Sequence, residues 1–391
     1  MIRVCHIAAH LPPDQGANAL LPVHLGIWTR DAGDLPTYVS YPPRALTQGD
    51  ATGAAAPLPG PVVWLPKRDR GRLPGPLSVF ATLAHVRRVW ALAEPAIVEA
   101  DVVHVHSNGL LPGVGAWIAR RAGKPVVLTL YGTEIWHYAR KRFGLDLFTR
   151  AYRSAALVTF YSAGLLDRAV EHGLVRGGLS VVYPPVAEYF ARADAQARDA
   201  ARRDLGLAER NILVNVKRLH PLAGQDTLID AMPAVLRQAP ETRLVFCGTG
   251  PLRSALEARA RGLGIASRVT FAGLVDNRRV ASYYAAADLF VLPSRLEALP
   301  TVAVEALACG TPVVSSDCPG GVELGRLFGD DVRVVPKENP PALAEALIAA
   351  LSSPRRTRPA TDAVLTREFR PATVAARYAA IYREAAGLRP R

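Results

Sequence analysis

The sequence predicts an α/β protein made of two Rossmann-like, doubly wound domains. Three observations carry that expectation. The chain has 391 residues, half of them hydrophobic, which is more than one core usually organises. Short apolar runs of strand type alternate with helical patterns along nearly all of it, the rhythm of parallel layers. A charged, alanine-rich stretch without strand character interrupts that rhythm near the middle.

The first half holds seven such runs: VCHIAAH (4–10), TYVSY (37–41), VVWLP (62–66), DVVHVHS (101–107), PVVLTLYG (125–132), ALVTFYS (156–162) and LSVVYPP (179–185). Between the second and third lies PPRALTQGDATGAAAPLPGP (42–61), rich in Pro and Gly and aperiodic, hence a long surface loop. Pro184-Pro185 stops the last run. AEYFARADAQARDAARRDLGL follows as a linker, so the first domain is expected over 1–190 and the second over 191–372. The second half brings six more runs: ILVNVKR (212–218), TRLVFCGTG (242–250), RVTFAG (268–273), DLFVLPS (288–294), TPVVSSD (311–317) and DVRVVP (331–336). The tail, 373–391, is an amphipathic helix with Val374, Tyr378 and Ile381 on one face.

Composition narrows the function. The formal charge is +13, and only five of the 47 basic residues are lysine. A solvated arginine-rich surface, an anionic acceptor and a membrane surface all fit, whereas no zinc-finger, RRM or basic-zipper pattern supports nucleic acid. Four cysteines lack metal or redox spacing and read as buried thiols. No leader or long apolar span is evident, so a cytoplasmic protein is expected, at most peripheral to the inner face of the membrane.

The most informative stretch is RLEALPTVAVEALACGTPVV (295–314). Pro300 favours the first turn of a helix, which leaves Glu297 in the loop after DLFVLPS and Glu305 in the helix. A loop at the C-terminal end of a parallel strand, feeding a helix N-terminus, is where α/β proteins hold phosphorylated ligands. Carboxylates there can accept hydrogen bonds from vicinal hydroxyls of a ribose or sugar.

SRLEALPTVAVEALACGTPVVSSDCPGG resembles the ExxxxxxxE region of retaining glycosyltransferase family 4, a GT-B fold. CGTGPL resembles that family's Gly-x-Gly-Pro-Leu turn, and VTFAGLVDNRRVASYYAAADLFVLPS resembles the segment leading to its donor site. Looser likeness extends through PPDQGA, DVVHVHS and LTLYGTE. The resemblance implies two domains facing a cleft, with the tail helix crossing back to the first. It also implies transfer of a sugar from a nucleotide-sugar donor, UDP favoured by family frequency, to an acceptor hydroxyl of a glycan, lipid or natural product, with retention and without a metal or other cofactor.

Carried over by position, Glu305 would bind the ribose, Glu297 the donor sugar, and Arg218 the diphosphate, while Leu299, Pro300 and Thr301 would line the pocket. Gly248 and Gly250 belong to the Gly-x-Gly turn, and Gly16 would admit a phosphate near the first loop. Two positions depart from the pattern. Ala223 stands where the family has lysine, and Lys217, on a strand that would turn it away from Arg218, is the candidate replacement. Tyr131 stands where the family has a histidine that reaches the donor sugar. Tyrosine titrates too high to act as a neutral-pH base, which leaves Glu134, His137 and His106 as secondary candidates; His104 is the weaker of the strand histidines. Two other readings remain: a non-catalytic two-lobed nucleotide-sugar binder, and an NAD-linked oxidoreductase, against which Arg253 replaces the last glycine of GxGxxG.

Overall fold

The computed structural model describes residues 1–14, 17–31, 33–43, 58–67, 75–107, 109–140, 146–174 and 176–388. Gly16 and most of the 42–61 loop lie outside the described residues. The chain divides into two compact units, Met1–Pro184 with Ala372–Arg391, and Pro185–Pro371.

In the first unit the apolar runs form β1 (Arg3–Ile7), β2 (Leu35–Ser40), β3 (Val62–Trp64), β4 (Val102–His106), β5 (Val126–Leu130), β6 (Leu157–Phe160) and β7 (Leu179–Val181). They make one sheet in the order β3-β2-β1-β4-β5-β6-β7, every pair parallel. Both faces of such a sheet are covered, so central strands lack polar alternation. All five residues of β4 are buried, its two histidines with its three valines. The helix Pro371–Ala385 belongs to this unit and buries Val374, Tyr378, Ala379 and Tyr382. Ile381, expected on that face, is only half-buried.

The second unit contains β8 (Asn211–Val216), β9 (Thr242–Cys247), β10 (Val269–Gly273), β11 (Leu289–Leu292), β12 (Val313–Ser316) and β13 (Val332–Val335). Their order, β10-β9-β8-β11-β12-β13, reverses direction between β8 and β11. That reversal opens a crevice at the C-terminal strand ends, where open α/β sheets bind ligands. A core of Leu213, Leu228, Met232, Leu244, Phe246, Leu256 and Leu347 holds helices against this sheet. The stretch taken for a linker contains the helix Ala195–Asp204, capped by Asp194, which accepts from the Ala197 N–H at 2.7 Å. Its Arg198 and Arg202 both pair with Asp288 at the start of β11, so the segment is tied into the second unit.

The four cysteines are buried and free. No described helix is long and apolar enough to cross a membrane.

Candidate active site

Glu297 and Glu305 come together at the strand reversal of the second unit, both near the Lys217 charge. β11 ends at Leu292, and the loop carrying Glu297 runs to Pro300, which opens the helix Thr301–Ala308. No side chain caps that helix start. Leu299 and Pro300 are buried and Thr301 half-buried. Arg295 fixes the loop, its guanidinium donating to both oxygens of Asp226 (3.1 and 2.8 Å), to Glu338 (2.7 Å) and to the Pro221 carbonyl.

Opposite, β8 stops at Val216, so Lys217 and Arg218 lie in a loop and strand alternation no longer separates them. The Lys217 ammonium meets a Glu297 oxygen at 2.5 Å. Its charge is therefore paired with Glu297. Arg218 is exposed and has no ion pair among the described residues. Ala223 is buried in a short 3-10 turn, where a lysine would have to leave the core.

Gly248 and Gly250 owe their identity to backbone contact with this loop. A Cβ on Gly248 would lie 2.1 Å from the Lys217 carbonyl oxygen, and one on Gly250 would lie 2.2 Å from that of Leu219. Two hydrogen bonds run across the contact, Lys217 N–H to Cys247 and Leu219 N–H to Thr249, each 3.0 Å. The two glycines thus shape the strand-reversal crevice by letting the loops touch.

Glu305 is half-buried and accepts from the Tyr284 hydroxyl at 3.0 Å. Burial raises its carboxyl to about 7, against the pull of the Tyr284 hydrogen bond and the Lys217 charge. It is thus poised to take or lose a proton near neutrality, unlike an ordinary helix acid.

In the first unit, Tyr131 follows β5 and its hydroxyl meets a buried imidazole chain. His106 Nδ1 lies 2.7 Å from that hydroxyl and His106 Nε2 lies 3.1 Å from His6 Nδ1. His104 bonds Tyr382 and Thr129, each at 2.7 Å. Burial depresses all three imidazoles, His6 to about 3, so each is neutral with one N–H. His6 Nε2 has no partner. A buried acceptor without a partner is tolerated more readily than an orphaned N–H. The favoured chain therefore donates from His6 through His106 to the tyrosine oxygen, leaving the phenolic proton free to point elsewhere. These three histidines have ring nitrogens within 4.8 Å of one another, close enough to consider a metal. Hydrogen bonds occupy all of those nitrogens but one, and a metal would have to break them.

Glu134 is buried and spent on structure, accepting from Ser107 Oγ (2.5 Å) and the Gly132 N–H (2.8 Å). His137 is exposed. Neither joins Tyr131 in the imidazole chain.

Two family profiles match, glycosyl transferases group 1 over residues 197–363 and glycosyltransferase family 4 over residues 41–188. The chain is 32% identical over 361 residues to D-inositol 3-phosphate glycosyltransferase 2 of Catenulispora acidiphila, covering 86% of this chain and 79% of that protein. The chain belongs to glycosyltransferase family 4. This glycosyltransferase is also 33% identical over 254 residues to the GDP-mannose-dependent alpha-(1-6)-phosphatidylinositol monomannoside mannosyltransferase of Mycolicibacterium smegmatis. That match covers 61% of this chain and 64% of the relative. Among solved structures, Anabaena HepE in complex with UDP matches at a TM-score of 0.74 and 19% identity, covering 98% of this chain and all of the other. The glycosyltransferase accordingly has the GT-B architecture.

Sequence reasoning missed Tyr284 and His6 in this glycosyltransferase. Tyr284 sits in an alanine-rich helix, and nothing local marks it as a partner of Glu305. His6 had a usable signal: if β1 and β4 are parallel neighbours, His6 falls opposite His104, as the register shows.

Proposed function

We propose that the protein transfers a sugar from a nucleoside-diphosphate sugar to an acceptor hydroxyl, with retention and without a catalytic metal. The observation that supports it most is the grouping of Lys217, Glu297 and Glu305 at the β8–β11 strand reversal, beside an uncapped helix start. Glu305, when ionised, accepts from two ribose hydroxyls. The N–H groups around Thr301 and the exposed Arg218 take the diphosphate, with Leu299 and Pro300 walling the pocket. Glu297, held by Lys217, accepts from a hydroxyl of the donor sugar. Tyr131, its oxygen accepting from His106, keeps a phenolic proton available for donation.

In the reaction the bond from the anomeric carbon to the diphosphate oxygen breaks. The acceptor oxygen bonds to that carbon on the same face, and its proton passes to the departing phosphate oxygen. Negative charge grows on the diphosphate, which pre-placed cations stabilise. No side-chain base is required, so the tyrosine at position 131 is compatible with turnover. Asp330 and Asp331 are engaged elsewhere: Asp331 accepts from the Arg358 N–H and the Thr361 hydroxyl, both at 2.7 Å, and Asp330 pairs with Arg358.

UDP was favoured on family frequency alone, and one relative is named for GDP-mannose, so the base is assigned by experiment. Thermal unfolding with UDP, GDP, ADP and dTDP, each with and without magnesium, tests the reading through ligand linkage. Stabilisation by one diphosphate, independent of magnesium, and release of that diphosphate from its sugar nucleotide by the wild type are expected. Arg218→Ala should lower turnover by about 10² to 10³. Stabilisation without any turnover would leave only a nucleotide-sugar binder.

A further inference from the structure

The outer face of the first unit carries positive charge that the transfer does not use. Helices Gly75–Glu99, Leu110–Arg121 and Leu147–Ser154 pack in succession beside one another. Between the second and third opens a surface cavity of about 610 Å³, lined by Arg120, Arg140, Arg150 and Arg153 with Asp146 and Thr149. None of these four guanidinium groups has an ion pair among the described residues. The one carboxylate present is occupied, Asp146 accepting from the Thr149 N–H at 3.0 Å and from its hydroxyl at 2.8 Å. Other arginines do have carboxylate partners, among them Arg243 with Glu209, Arg259 with Asp230 and Arg295 with Asp226. Four unmatched cations around one cavity repel each other, and an anion in it relieves that repulsion.

The neighbouring surface says which anion. Trp117 borders this cavity through an adjoining apolar slot and remains 44% exposed, packed edge-on against Trp90 at 5.3 Å. Along the helix Gly75–Glu99, Phe80 (68% exposed) and Leu83 (55%) face outward together with Arg87. A small dissolved anion gains nothing from this apolar rim. A lipid surface gains from both parts, because arginines meet phosphates while aromatic and aliphatic side chains enter the interface.

We infer that this face docks on an anionic phospholipid bilayer, with headgroup phosphates in the arginine cavity and Trp117, Phe80 and Leu83 at the interface. The inference is independent of the transfer chemistry, since a protein with an inert donor site would still bind vesicles this way.

Co-sedimentation of the full chain with phosphatidylcholine vesicles, and with vesicles also carrying phosphatidylglycerol, tests it. Binding to the anionic vesicles alone, weakening as salt rises, is expected. Each of Arg150→Gln and Arg153→Gln should lower the partition coefficient roughly fivefold. Phe80→Ser with Leu83→Ser should lower it at least about tenfold. Trp117→Phe should remove part of the tryptophan quenching by brominated lipid. Thermal unfolding midpoints, unchanged in all these variants, report that the fold is intact. Equal binding to both vesicle types, or arginine variants that bind like wild type, would overturn the proposal. So would stabilisation by inorganic phosphate that depends on Arg150 and Arg153 without vesicle binding, which would make the cavity a site for a free anion.

Discussion

A carboxyl that titrates near neutrality gives Glu305 two opposite pH signatures. Its folded value, about 7, lies above the ordinary carboxyl value of 4.5. The stability it contributes is present below the unfolded value and is lost as pH rises through 7. Ribose hydroxyls favour the ionised form, so nucleotide binding should run the other way, roughly tenfold tighter at about pH 8 than at about pH 6. Calorimetric titration with the stabilising diphosphate across that range reads the slope. In Glu305→Gln it should vanish, and a slope that persists there would assign the proton to another group. Residues were also where the sequence was least informative. The positions of Glu297 and Glu305 on either side of a helix start were legible from Pro300. The partners that set their chemistry, Lys217 and Tyr284, come from other elements at separations no local pattern encodes.

Elements were legible almost throughout, because in a parallel sheet buried on both faces the strands are continuous apolar runs bounded by turn residues. All thirteen expected runs overlap a strand. The errors fell at strand ends, where the apolar signal outlasts the pairing: β8 was expected to reach residue 218 and stops at Val216. That small difference moves Lys217 from the sheet into the loop and onto Glu297. The alanine-rich stretch failed differently. Its helix has no buried residue, so no apolar face announced it, and two arginines on Asp288 hold it instead. The contact of Gly250 with the Leu219 carbonyl is also an element-scale property. Gly250→Ala should push the 217–219 loop outward, costing about 1 to 3 kcal/mol and weakening nucleotide binding while the strands persist. Thermal unfolding with and without nucleotide measures both effects, and an unchanged nucleotide shift would detach the loop from the site.

At the scale of the whole molecule, the two-domain division followed from length and from the break in the strand rhythm. The return of the final helix to the first domain came from the family resemblance and not from the helix itself, since an amphipathic face does not name its partner. The structure shows the partner: Tyr382 bonds His104 at 2.7 Å and Tyr378 bonds Thr129 at 3.2 Å, across sequence separations of 278 and 249 residues. Tyr382→Phe keeps the apolar shape but strips a buried imidazole nitrogen of its partner, so unfolding in urea should show a loss of about 1 to 3 kcal/mol. A change below about 0.5 kcal/mol would mean that the nitrogen finds another partner.

Since residues 372–388 close the core of the first unit, the second unit is in effect an insertion within the first. At Pro371 the second unit is complete, whereas the first still has buried histidines and threonines whose tyrosine partners lie further along the chain. The first domain to be synthesised is the last to be finished. A released chain truncated after Pro371 should therefore present a protease-resistant second unit attached to a protease-sensitive first one.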